Sequence, residues 1–421
     1  MGLGISVTAS VCEKKRLQIN HYFNNLESIV PNFTIVVSET ENQQRIQLVP
    51  FEEDLYLDYL DDHVVFSAKT SSAGPGYHAW LISVLDHLSN ELDLHWLKID
   101  DETDYMHHHN FEVLQTRMAN WLKSLANAVL ERSEMGQYSN FAIAMEITCS
   151  PNAPDSFACF PLGYLERDFF ENIQSKPKIE NECKFFFIWW NKQQDALFYH
   201  QVALEKIWCK INWLVPQNQI EQQHLQICLS SLKMAFEMDA SLNYPYTEWL
   251  EVAELMEQKE TILWLKETIQ EDRFDISSRK GFCRGWMNCS LADGWRLSLL
   301  GKMHFIYEDG WVYWNDEITV RASILTVNTK DGHFEENHTL LSKVAGKEVF
   351  ESFSNLKNQK IAAKIRHTEI EEEKEILQYT DFIACDRNQV IILSLFYPDL
   401  KQRQTVLEIC ASLHNTRGDT E

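Results

Sequence analysis

Apolar and polar residues alternate over residues 3–11, which predicts a strand, and the short apolar segments His63–Ala68, His95–Ile99 and Phe141–Thr148 read as further strands. Phe33–Val37 and Ile46–Val49 flank a polar Glu39–Gln44 segment and predict a hairpin. Elsewhere the spacing becomes helical. Ile19, Tyr22, Phe23, Leu26 and Ile29 share one face until Pro31 ends the pattern. Trp80, Leu81, Val84, Leu85, Leu88 and Leu92 draw a second amphipathic helix, and Phe111, Leu114, Met118, Trp121, Leu122, Leu125 and Val129 a longer third. This order of elements predicts an N-terminal α/β sandwich with helices on one side of a mixed sheet, over residues 1–190. Within it, Pro151, Pro154, Pro161 and Pro177 mark residues 151–182 as a connector, and the apolar run Cys183–Trp190 is strand-sized.

From 191 to 275 the pattern is helical only. Ala196, Tyr199, Val202, Ala203, Ile207, Trp208 and Ile211 form one stripe, and Pro216 breaks it. Leu225, Cys228, Leu229, Leu232 and Phe236 form the next, before Ala240-Ser241-Leu242-Asn243-Tyr244-Pro245 leads into Trp249, Val252, Ala253 and Leu255. That progression resembles the helix–turn–helix of tetratricopeptide repeats, which implies paired helices and a shallow peptide groove.

Residues 280–417 are β-rich. Trp295–Leu299 alternates, His304–Tyr307 and Trp311–Trp314 flank an Asp309-Gly310 turn, and Glu317–Val327 is a long strand. Phe382–Cys385 and Val390–Tyr397 flank Asp386-Arg387-Asn388, and a last helix reads Val406-Leu407-Glu408-Ile409-Cys410. Strands closed by such a helix resemble the PsbP/DcrB-type α/β sandwich, a resemblance that implies a fold and carries no functional residue. Taken together, the chain is expected to be α+β and multi-domain: an N-terminal α/β sandwich, a central helical segment, and a C-terminal antiparallel sheet with packed helices.

Composition narrows the class. The 421 residues exceed one ordinary core, and 45% hydrophobic with 12% aromatic content suffices for packed interiors. The run Phe185-Phe186-Phe187-Ile188-Trp189-Trp190 is too short to cross a bilayer, so no membrane association is expected. The ten cysteines show no CxxC and no repeated spacing, which fits reduced thiols in a cytoplasmic protein better than a disulfide or zinc framework.

Charge changes the picture most. The net charge is −24, and residues 52–104 hold thirteen carboxylates against Lys69 and Lys98, a local net of −11. Such a surface repels nucleic acid and attracts a basic partner. Within the stretch, Ser71-Ser72-Ala73-Gly74-Pro75-Gly76-Tyr77-His78 runs from a strand into a helix, where amide groups could face an anion. The spacing fits neither the phosphate loop nor the dinucleotide fingerprint, so a Pro75-fixed structural turn is the first reading. His107 and His108 follow Asp100, Asp101, Glu102 and Asp104, and with His78 they are the candidate metal ligands; an acidic helix start is the ordinary alternative. The Glu371-Glu372-Glu373 run reads as a solvated helix face.

These observations favour a non-catalytic intracellular binding protein without a cofactor. Its acidic surface, with Asp58, Asp61, Asp62, Asp100, Asp101, Glu102 and Asp104 as binding residues, would take a basic protein partner; an immunity or antitoxin-type protein is one form. The alternative is a hydrolase or metal-dependent enzyme at the Gly74–His78 turn, with His78 as base and Asp101 or Asp104 orienting it. A third reading is an adaptor that holds a peptide on the central helices.

Overall fold

In the computed structural model of the chain the described residues are 2–25, 36–39, 42–49, 54–135, 141–143, 149–151, 157–268, 281–307, 309–327, 336–346, 350–354, 356, 361–372 and 375–416. The chain is mixed α+β and groups into two compact units. The first comprises Met1–Met145, Ala153–Lys210 and Gln219–Lys280; the second comprises Glu146–Asn152, Ile211–Asn218 and Gly281–Glu421. The central helices thus fall in the same unit as the N-terminal sheet. Leu26, Ile29, Pro31, residues 33–35, residues 144–148 and Glu373 of the sequence-based elements lie outside the described residues.

The first unit is built on β1 (Gly4–Ser10), α1 (Glu13–Asn24), β2 (Val36–Glu39), β3 (Gln43–Gln47), β4 (Leu55–Leu60), β5 (His63–Lys69), α2 (Pro75–Leu92), β6 (Trp96–Asp101), α3 (Tyr105–His108) and α4 (Phe111–Glu134). The strands form one sheet in the order β2-β3-β4-β5-β1-β6, and every neighbouring pair is antiparallel. Alternation decides which face is covered. Ile5, Val7, Ala9, Leu55, Leu57, Tyr59, Val64, Phe66 and Ala68 are buried on one side, where Phe23 of α1 meets Phe66 at 6.5 Å between ring centroids. The intervening residues Ser6, Thr8, Val65, Ser67, Tyr56 and Asp58 stay partly or fully solvated on the other side. The sheet therefore has a covered face and an open one. The acidic words of the sequence concealed β4, whose Leu-Tyr-Leu-Asp-Tyr-Leu is a plain alternating strand.

The supposed connector has structure of its own. Ala158–Phe160 pairs parallel with Phe141–Ala142 and antiparallel with Gly163–Leu165, a small mixed sheet, and α5 (Arg167–Ser175) follows. The expected strand at Cys183–Trp190 is instead the end of α6 (Glu180–Phe186) and an extended segment. Phe186 to Trp190 are all buried while Phe185 is half exposed, and a continuous apolar run carries no period to separate helix from strand. The helical run continues as α7 (Ala196–Glu205), which passes into a π-helical turn Lys206–Lys210, then α8 (Gln219–Met238), α9 (Tyr246–Leu255) and α10 (Lys259–Thr268). Asp195 caps α7 by accepting from the Phe198 amide at 3.0 Å.

The second unit holds two antiparallel sheets. His414–Asn415, Trp295–Leu300, Trp286–Ser290 and Cys149–Pro151 form the smaller. The larger runs His304–Tyr307, Trp311–Trp314, Thr319–Thr326, Gln389–Tyr397, Glu375–Asp386, Ala362–Glu372, Glu351–Ser352. Leu340, Leu341 and Ala345 of the helix Asn337–Ala345 pack on Ala362, Ile383, Cys385 and Val390 of this sheet. Both turns anticipated at Asp309-Gly310 and at Arg387 are present, with φ of 51°, 136° and 57° respectively. The Glu371–Glu373 region is a correction: Glu371 and Glu372 end one long strand of a hairpin, not a helix face. The cross-strand pairing of the two long strands outweighs the helical preference of a glutamate run.

Candidate functional site

The end of the six-stranded sheet where β5 leaves and β6 arrives gathers most of the singled-out residues. β5 ends at Lys69, and Thr70 through Gly74 turn the chain into α2, with Gly74 at φ 111° and Pro75 in the first helical turn. A side chain at Gly76 would stand 2.0 Å from Trp189 Cδ1 and 2.3 Å from the Asn191 carbonyl oxygen, so only glycine lets that segment close over the turn. The Gly76 amide donates to the Trp189 carbonyl at 2.9 Å, and the Trp189 amide donates to Ala73 at 2.8 Å. Gly76 N–H therefore points at protein, and the turn is a fold device at this position.

His78 lies one turn further along α2 and is fully buried. Its Nδ1 is 2.8 Å from Thr70 Oγ1, its Nε2 is 2.8 Å from Thr103 Oγ1, and Asp101 Oδ1 lies 3.2 Å from Nε2. Asp101 accepts from the Thr103 hydroxyl at 2.7 Å, the Thr103 amide at 2.8 Å and the Met106 amide at 2.8 Å. Burial pushes the Asp101 carboxyl up, but the hydrogen bond and charge of His78, then the Met106 amide and Thr103, outweigh it and hold the group below the ordinary carboxylate range. The sequence left Asp101 and Asp104 as alternatives beside His78, and here it is Asp101 that lies against the ring; Thr70 and Thr103 had no signal in the sequence. The arrangement has the connectivity of a relay, yet a general base must touch its substrate, and both ring nitrogens are engaged inside the protein. It ties the start of α2 to the end of β6.

The other carboxylates separate into groups. Asp58 and Asp100 point to the open face, where the register places Asp58 beside Val65 and Asp100 beside Ser6. Asp100 pairs with Lys98 at 3.4 Å. Glu102 Oε2 accepts from the Gly4 amide at 2.8 Å, and together with Asp100, Lys69, Tyr56, Ser6 and Ser67 it lines a shallow pocket of about 440 Å3. Asp61 and Asp62 form the turn at the far end of β5, seven to eight residues from Lys69, or about 25 Å away at strand spacing. Asp104, in the left-handed region at φ 59°, meets His108 at 3.3 Å and Arg117 at 3.5 Å. Asp101 is inside. The seven residues do not form one patch.

The candidate metal ligands are likewise apart. His78 is in the core, while His107 and His108 are exposed on α3. Among the described residues no group of three or more His, Cys, Asp or Glu is placed to hold a metal ion.

One polar cluster left no trace in the sequence reading. Glu205 and Lys206, at the change from α7 to the π-helical turn, pair at 2.8 Å with side chains 4% and 2% exposed. Burial first, then the charges of Lys206 and Lys210, press the His224 ring down to about 3, and burial pushes the Cys228 thiol far up. A neutral imidazole near a protonated thiol lacks the thiolate of a cysteine nucleophile. The cluster is a buried ion pair inside a helical core.

Comparison with protein-family models and with curated proteins gives no match. A solved structure from Bacteroides thetaiotaomicron VPI-5482 is similar to part of the chain at 10% identity with a TM-score of 0.25, covering 29% of this chain and 45% of that one. No helix among the described residues is long and apolar enough to cross a membrane.

Proposed function

We propose that this protein is a non-catalytic binding protein whose open sheet face receives a basic protein partner. The observation that carries the reading is the placement of acid on that face. On the strands themselves Asp58 and Asp100 are balanced by Lys69 and Lys98, Arg45 on the same face is paired with Asp54, and the carboxylates beyond these sit at the two ends, in Asp61 and Asp62 on one side and Glu102 on the other. A partner lying along the strands would meet negative charge at both ends, about 25 Å apart, with small hydroxyl residues between them. An immunity or antitoxin-type protein that covers a cationic toxin is one concrete form. The burial of His78 supports this reading over a hydrolase.

The test uses three variants of equal charge change. Asp61→Asn with Asp62→Lys alters one end, Asp100→Lys with Glu102→Gln the other, and Glu112→Gln with Glu131→Lys alters α4. A basic protein captured from native lysate at low salt and released at high salt should persist with the α4 variant and weaken with either end variant. Equal capture by all three would sink the proposal.

A further inference from the structure

We infer that the cleft between α8 and α10 is a peptide-binding site, which takes one apolar side chain of a partner segment with a basic residue beside it. The cleft measures about 670 Å3. Leu229 and Phe236 of α8, Trp249 of α9 and Trp264 of α10 line it. The rings of Phe236, Trp249 and Trp264 pack on one another at 5.1 to 6.1 Å between centroids, so they form a continuous aromatic wall. A wall of this kind gains most from an apolar or aromatic side chain laid against it.

A second observation is independent of shape. Trp249 is 1% exposed, and its Nε1 has no hydrogen-bond partner among the described residues. A buried indole N–H without an acceptor is a standing cost, and a small shift of the aromatic wall on binding would let a peptide carbonyl oxygen relieve it. The rim has matching chemistry. Gln226 and Gln258 each offer a donor and an acceptor, Thr261 offers a hydroxyl, and Ser230, whose proton goes to the Gln226 carbonyl at 2.9 Å, offers an acceptor, which suits the alternating groups of a peptide backbone. Charge gives the neighbour of the apolar anchor. Lys233 pairs with Glu237 at 3.9 Å, while Glu260 has no ion-pair partner among the described residues, so the rim carries a net negative charge.

Fluorine NMR titration of the full-length protein with the capped tripeptide N-acetyl-Lys-(para-fluoro-Phe)-Lys-amide reads the site directly. Saturable binding is expected. Ser230→Tyr plugs the cleft from an exposed position and should abolish it. Trp249→Phe keeps a ring and removes the donor, which should weaken binding about three- to tenfold. Glu260→Gln should weaken it about two- to fivefold. Asp58→Asn with Asp100→Asn, on the open sheet face, should leave it unchanged. No saturable binding by the wild-type protein would overturn the inference, as would equal binding by Ser230→Tyr. So would para-fluorobenzyl alcohol binding as tightly as the tripeptide, since the site would then serve a small aromatic molecule. An unchanged affinity in Trp249→Phe would refute the contact that singles out a carbonyl.

Discussion

Asp100 and Asp101 are neighbours in the chain and face opposite sides of β6. Asp100 stands on the open face beside Ser6, exposed and loosely paired with Lys98 at 3.4 Å. Asp101 turns inward, with its side chain 1% exposed, and binds His78, Thr103 and the Met106 amide. The period of two along a strand is enough to give one carboxylate to solvent and the next to the core. Local charge density therefore counts acidic residues without saying what each does: of the two, only Asp100 can meet a partner.

The contrast predicts where substitution hurts. His78→Ala would leave the Asp101 carboxylate buried beside a void, and unfolding in urea should show a loss of about 3–5 kcal/mol. If the loss is within error, the buried pair does not hold α2 to β6. On the same covered side, Gly76→Ala puts a methyl group into Trp189 and should cost about 1–3 kcal/mol in the same assay. Retained stability there would mean that residues 187–191 move aside readily.

Acid should act through Asp101. Its folded carboxyl is held below the ordinary value, so its contribution is complete above the unfolded carboxylate range, at about pH 4, and fades as pH falls through the folded value. Thermal melting of wild type and Asp101→Asn should therefore differ most near neutral pH and converge in acid; a gap that widens in acid would reverse the assigned direction. On the open face, Asp58→Asn should change stability by less than about 0.5 kcal/mol, because an exposed carboxylate on a solvated strand loses little. A larger change, seen in the urea midpoint, would place Asp58 among the structural carboxylates.

Much of this could be read from the sequence, and the failures have a common cause. The helix α4, the part of α2 beyond Ala79 and the strand β1 each bury one stripe or one face, so their periods survive in the residue order, while the Arg387 hairpin was marked by its turn residues. The segment from Phe186 to Trp190 is buried throughout, which erases the period. The long hairpin that includes Glu371 and Glu372 owes its form to pairing between strands, which local propensity does not record. At the candidate site the sequence offered Asp101 or Asp104 as the partner of His78, and neither the choice of Asp101 nor its burial could be read from residue order. Thr70 and Thr103 went unnoticed because a threonine has no signature until a buried histidine lies between two of them. The acidic surface was counted correctly and drawn as one patch, since only the register reveals that Asp61 and Asp62 sit at the opposite end from Glu102.

The most direct test of this division is a urea unfolding comparison of Asp100→Asn and Asp101→Asn, each a change of one atom type on adjacent residues. The account predicts a loss of about 2 kcal/mol for Asp101→Asn, the value of charged hydrogen bonds made in the interior, and less than about 0.5 kcal/mol for Asp100→Asn. Equal losses, or a larger one at Asp100, would contradict it.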